Sequence, residues 1–255
     1  MLRHSLARLA VAGIMSIAGI AAAKADDILV AVAANFAEAS QDLAALYEKA
    51  SGNKVVVTTG ATGKLYAQIS AGAPFQILLS ADAKTPAKLA DEKAAVAGTK
   101  FTYAIGKLAL WSADPKRIGA DGAAALQADD FQHLAIANPD LAPYGVAARE
   151  TLQSLGLWDK LATKIVMGEN IGQTHSMVAT GNAELGFVAL SAVQSPQQPS
   201  EGSFWVVPQD KFTPIRQDAI LLNAGADNAA ARGFLDFLKS PEAHALIESY
   251  GYGVE

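Results

Sequence analysis

Residues 28–34 are all apolar. An uninterrupted run of that length suits a strand buried on both faces, as in a parallel sheet covered by helices. Asn35 follows at a helix N-cap position. Phe36, Ala39, Leu43, Leu46 and Ala50 then recur at three- and four-residue spacing, which predicts a helix with one apolar face. Gly52 is placed to end it. Residues 54–59, β-branched from 55 onward, read as a strand, and Gly60-Ala61-Thr62-Gly63 as a small-residue loop. A second helix is predicted up to Gly72, and a third strand over 75–80. Thr85 as cap and Pro86 at the first helical position open a third helix. The order β-α-β-α-β-α confines the fold to the α/β class with a largely parallel sheet.

The middle of the chain repeats the pattern. Residues 101–111 read as one long strand interrupted by Gly106, and 134–137 as a short buried one. Asn138-Pro139-Asp140 and Pro143-Tyr144-Gly145 read as loop, and 147–155 as helix. Further strands are expected at 164–167, 185–190, 206–208 and 219–222. A helix is expected over 171–180, capped by Asn170 and closed by Gly181. Two helices end the chain, the second opened by Ser240-Pro241. This predicts a second α/β lobe. With no Ser/Gly-rich linker in sight, ordered crossing strands should join the lobes.

The first 25 residues do not belong to either lobe. Arg3 and Arg8 precede an apolar run from residue 9 to about 22, followed by Ala23-Lys24-Ala25. A basic start, an apolar middle and a small-x-small site make a secretory signal. The run is short of the ~20 residues of a membrane span. Cleavage is expected after Ala25, leaving 230 of the 255 residues. The signal takes three of the 20 basic side chains and no acidic one, so the exported chain carries 17 basic and 25 acidic groups, a net −8. That balance argues against nucleic acid as a partner. There is no cysteine, so a disulfide scaffold, a thiol nucleophile and a lipid anchor at the cleavage site are all excluded.

Motifs for catalysis fail on inspection. His133, His175 and His244 lie too far apart in sequence for a helical metal pair. No G-x-S-x-G elbow occurs. Gly60-Ala61-Thr62-Gly63-Lys64-Leu65 has two residues between its glycines where a P-loop has four, and Leu65 where a P-loop has Ser or Thr. The acid pairs Asp26-Asp27, Asp91-Glu92 and Asp129-Asp130 sit in polar stretches, not in the apolar surroundings that perturb a carboxylate. The chain therefore reads as a non-enzyme without a cofactor.

Binding is better supported. Ala34-Asn35, Ala61-Thr62-Gly63 and Asn170-Ile171 each open a helix at the end of a strand. Free N–H groups at such helix starts favour an anion, and open α/β sheets bind ligands just beyond their strand ends. Asn35, Thr62 and Asn170 could equally be ordinary caps, each worth about 1 kcal/mol.

The stretches VAVAANFAEA (30–39), TTGATGKLYAQISAGAPFQILLSAD (58–82), ANPDLAPYGVAARETL (137–152), GNAELGFVALSAV (181–193) and FLKSPEAHALIESYGYG (237–253) carry a family likeness. The chain resembles the periplasmic molybdate-binding proteins of ABC importers, the ModA-type substrate-binding proteins. The resemblance implies a two-lobe, type II-like periplasmic binding fold. Its first lobe would comprise residues 26–106 and 216–255, and its second lobe 107–215. It also implies a monomer that binds molybdate or tungstate and delivers it to a membrane permease. Carried over by position, the oxyanion would be held by Asn35, Thr62, Tyr144 and Ile171, with further backbone donors at Ala34, Ala61 and Gly63. Relatives commonly have Ser at the position of Thr62, and some place a Tyr at the position of Ala189. Here the missing hydroxyl would come from Tyr144. Gln76, where relatives often have Asp, is expected outside the site. Molybdenum would enter only as the oxyanion, with no direct protein ligand to the metal. The acidic net charge gives no steering toward an anion, so aimed neutral donors must hold it. Sulfate or phosphate as ligand, and a secreted hydrolase on the same fold, remain the alternatives at this point.

Overall fold

The structure is a computed structural model that describes residues 27–128 and 130–255. The predicted signal, its cut after Ala25, Asp26 and Asp129 lie outside the described residues. Ten strands run in chain order as β1 (Ile28–Ala33), β2 (Val55–Gly60), β3 (Ile77–Leu79), β4 (Phe101–Gly106), β5 (Leu108–Ser112), β6 (Leu134–Ala137), β7 (Ile165–Gly168), β8 (Leu185–Ala189), β9 (Ser203–Val206) and β10 (Ile215–Leu221). They form two five-stranded sheets, β2-β1-β3-β10-β4 and β7-β6-β8-β5-β9. In the first, β1 is parallel to β2 and β3, and β10 is antiparallel to β3 and β4. In the second, β6 is parallel to β7 and β8, and β5 is antiparallel to β8 and β9. Both sheets thus place their one reversed strand fourth in order. The sequence shows no repeat, yet the two halves share one topology.

The reversed strands are the ones that follow the crossings. Residues 101–111, expected as a single strand, are two strands in different sheets, joined by Lys107 alone. A Cβ at Gly106 would lie 2.3 Å from the Tyr144 hydroxyl, so the residue before the crossing must be glycine for that ring to approach. The second crossing runs from β9 to β10, and Ile215 is paired with Gly106, so the two passages lie side by side.

Each sheet is covered on both faces, as the apolar runs require. Along β1, Val30 and Val32 pack with Phe36, Leu43 and Phe234, while Ala31 faces Leu65 and Leu89 on the other side. Along β5, Leu108 and Leu110 pack with Tyr144 and Leu152, and Ala109 and Trp111 with Val178 and Leu190. No described helix is long and apolar enough to cross a membrane.

Two local expectations need correction. The third helix is Lys84–Asp91, with Thr85 inside it; Asp82 takes the capping role by accepting from the Thr85 N–H at 2.8 Å. Pro143-Tyr144-Gly145 is not a loop but the first turn of a helix, Pro143–Ser154. Proline suits that position because its missing N–H would have no partner there. Gly145 lets the turn press onto β6: a Cβ there would lie 2.1 Å from the Ala137 carbonyl oxygen.

Candidate functional site

Four helix starts converge where the two sheets face each other. They are the 3-10 turn Ala34–Phe36 leading into Ala37–Ser51, and the helices Thr62–Ser70, Pro143–Ser154 and Ile171–Ala179. The first two follow β1 and β2; the last two follow β6 and β7. A cavity of about 10 Å³ lies between them, bounded by Ala34, Asn35, Ala61, Thr62, Tyr144 and Ile171 among others. Room of that size matches one water molecule. Six of the seven residues expected at the site from the sequence are therefore brought together. Gly63 is the exception. Its N–H donates to the Leu141 carbonyl at 2.9 Å across the cleft, and it does not line the cavity.

The three candidate caps now separate. Asn170 is an ordinary cap, accepting from the Gln173 N–H at 2.9 Å. Asn35 caps nothing; its amide nitrogen donates to Gln217 Oε1 at 2.7 Å and to the Tyr252 hydroxyl at 3.2 Å. Thr62 does not cap with its side chain either; its hydroxyl accepts from the Ala81 N–H at 3.2 Å. An accepting hydroxyl keeps its own proton to give. Among the described residues, three buried side-chain atoms have no hydrogen-bond partner: Asn35 Oδ1, the Tyr144 hydroxyl and Gln217 Nε2. Buried polar groups are rarely left this way, and two of the three belong to residues that line the cavity. Burial, with Tyr252 and Tyr103 nearby, pushes the Tyr144 hydroxyl well above the usual tyrosine range. It stays protonated and can donate. Gln217 and Tyr252 were not foreseen; Gln217 sits in the polar run Arg216-Gln217-Asp218 of β10, and nothing local sets it apart.

The cavity is neutral, with no charged side chain on its wall. Charges gather in two larger clefts beside it. One, of about 440 Å³, is bounded by Asp82, Pro143 and Arg216; the other, of about 500 Å³, by Glu38, His175 and Ser191. Lys64 and Glu169 pair across the cleft, both half-exposed. A pair so exposed contributes at most about 1 kcal/mol. Gln76 lies outside the cavity, bonded to Asn228 at 3.0 Å.

His175 stacks on Trp111 with ring centres 4.6 Å apart and bonds the Ser200 hydroxyl at 2.9 Å. Burial lowers its pKa below the ordinary 6.5, with nearby Glu38 opposing. The folded state therefore favours the neutral ring. Its stabilising effect is complete above pH 6.5 and is lost as the pH falls through the lower folded value. In thermal unfolding, the drop in midpoint between pH 7 and pH 5 should be larger for the wild type than for His175→Phe. Equal drops would contradict this. No group of three or more metal-ligating side chains occurs among the described residues.

Residues 28–253 match the family of bacterial extracellular solute-binding proteins. The molybdate-binding protein ModA of Azotobacter vinelandii is 50% identical over 254 residues, which cover 98% of this chain and 99% of that protein. The protein of the same name from Rhodobacter capsulatus is 49% identical over 233 residues, covering 91% and 90%. The solved structure of the Azotobacter vinelandii periplasmic molybdate-binding protein superposes with a TM-score of 0.86 at 41% identity, covering 89% of this chain and 99% of that one. The chain belongs to the bacterial extracellular solute-binding protein family, within the ModA group that these relatives represent.

Proposed function

We propose that this protein binds molybdate, and tungstate with it, in the cavity between the sheets and delivers it to the membrane permease of an ABC importer. The observation that carries this reading is the buried Tyr144 hydroxyl, a donor without an acceptor, beside Asn35 at a neutral cavity where four helix starts meet. A dianion out of water needs its charge spread over many donors. Helix N-termini supply N–H groups with partial positive charge, here from Ala34, Asn35, Ala61, Thr62, Tyr144 and Ile171. Thr62 and Tyr144 add hydroxyl protons, and the Asn35 amide adds a third side-chain contact. The relatives named above support the choice of anion.

The cavity is narrow and lies between the two halves of the chain, so the anion enters as its walls part and is held as they close. In this reading the moving bodies are residues 26–106 with 216–255, and residues 107–215. The two adjacent crossings are the hinge, and closure marks the loaded state for the transporter. The place of action is the periplasm, reached by export and cleavage after Ala25.

Calorimetric titration with molybdate, tungstate, sulfate and hydrogen phosphate tests the reading. Tight binding of the first two, and weak binding of the others, is expected. Thr62→Ala and Tyr144→Phe should each weaken molybdate by about 1.5–3 kcal/mol, the range for a hydrogen bond to a charged group. Tight binding of sulfate or hydrogen phosphate instead would replace the ligand. Unchanged molybdate affinity in both variants would overturn the site.

A further inference from the structure

Gln217 is completely buried in β10, 182 residues from Asn35 in sequence, and it does not line the cavity. Its side chain and the Asn35 amide touch at 2.7 Å. Nitrogen and oxygen of an amide have the same shape, so such a pair can be joined in two ways. In the first, Asn35 Nδ2 donates inward to Gln217 and Tyr252. That leaves Asn35 Oδ1, an acceptor, for the cavity; the outer atom of the Gln217 amide has no partner in either arrangement. In the second, both amides are turned over. Gln217 Nε2 then donates to Asn35 Oδ1, and its other proton faces the Tyr103 oxygen, 3.4 Å from the atom now placed there. Asn35 Nδ2 then meets the cavity. A lone acceptor facing an oxyanion repels it, whereas an amide nitrogen brings two protons.

We propose that Gln217 is a positioning residue: by donating inward, it turns the donor end of the Asn35 amide toward a bound oxyanion. This rests on the anion-binding reading of the cavity. The surroundings suit the role. Tyr103 gives its proton to the Ser80 carbonyl at 3.0 Å, so its oxygen is left to accept. Tyr252 lies 3.2 Å from the Asn35 amide atom that faces it, so with that amide turned over its proton goes to Asn35 Oδ1 while Ser191 donates to the Asn35 carbonyl at 3.2 Å. Both tyrosines are kept protonated by burial, so neither hydroxyl carries a charge that competes for the Gln217 amide, and the neighbouring Asp218 carboxylate is engaged by Lys100 and Thr102.

Two variants test this by molybdate calorimetry between pH 6 and pH 9. An ionised carboxylate at position 217 can only accept, which holds Asn35 in the unfavourable orientation; a protonated one can donate, as glutamine does. Gln217→Glu should therefore bind at least tenfold more tightly at pH 6 than at pH 9, while the wild type changes less than twofold. Gln217→Met can neither donate nor accept and should be about tenfold weaker than wild type at every pH. The proposal is overturned if Gln217→Met binds as the wild type does, which decides the matter even if Gln217→Glu does not fold. It is also overturned if a folded Gln217→Glu shows no pH dependence beyond that of the wild type, the behaviour of a merely structural residue. If the wild type binds neither molybdate, tungstate nor sulfate, the site reading itself fails, which is a separate outcome.

Discussion

Replacing Asn35 by aspartate should lower molybdate affinity at pH 7 by about a thousandfold. Two unit charges 4 Å apart repel by about 4 kcal/mol even at an effective dielectric of 20, and a dianion doubles this. The cheaper route is for the new carboxyl to take up a proton before the anion enters. From an ordinary pKa near 3.9, that costs about 4 kcal/mol at pH 7, which sets the thousandfold loss. The same reasoning fixes the slope. Each unit of acidification should restore affinity about tenfold in Asn35→Asp, and the wild type should stay nearly flat over the same range. The variant should fold, because Gln217 can turn its amide and donate to the new carboxylate. Titrations at pH 8, 7 and 6 would show the slope. Near-wild-type binding at pH 8 would mean that residue 35 does not face the anion.

Gly145→Ala should damage both stability and binding, through one added methyl group. Its Cβ would lie 2.1 Å from the Ala137 oxygen and 2.8 Å from the Pro139 nitrogen. Both are backbone atoms, and Ala137 is held in the second sheet by its pairing with Gly168. The helix has to move instead. Forcing extra volume into a packed interior costs about 1–3 kcal/mol and sometimes more. For a chain of this size, that lowers the unfolding midpoint by roughly 2–4 °C per kcal/mol, so about 2–12 °C is expected. The displaced turn also carries Tyr144 away from Asn35 and Gly106, and a site misplaced by about 1 Å no longer functions as built. Thermal melts and molybdate titration on the same sample check both effects. A midpoint within 1 °C of wild type would show that the contact is loose.

What the sequence disclosed follows from how local each signal is. Ile28–Ala33 and Leu134–Ala137 were legible because continuous apolar runs mark strands buried on both faces. Gly52 and Gly181 were legible as helix ends, since each sits at positive φ where a side chain would be strained. The crossing after Gly106 was not. Both halves of 101–111 are apolar, and no local feature says that they join different sheets. The turn at Pro143 was misread because Pro and Gly there resemble a loop; only the packing against β6 shows that glycine serves close approach. At the site, residue positions came from family likeness. The structure added the distinction between Asn170, a working cap, and Asn35 and Thr62, which are not caps. Gln217 could not be read at all, because its partner lies at the far end of the chain and nothing local specifies that meeting.

The return of β10 to the first sheet also bears on how the protein is made. Among the described strands β4 pairs only with β10, the last of them, and its other side meets Gly253 still later in the chain. The second sheet is complete once β9 has been laid down, with both ends of its segment close together at Gly106 and Ile215. As the chain emerges from N- to C-terminus, the half that begins first is therefore finished last. Until residue 221 is free, β3 and β4 stand apart as open edges, the kind of surface on which partly folded chains aggregate. The cavity proposed to bind the anion, which draws on both halves, is complete only after that closing strand has been added.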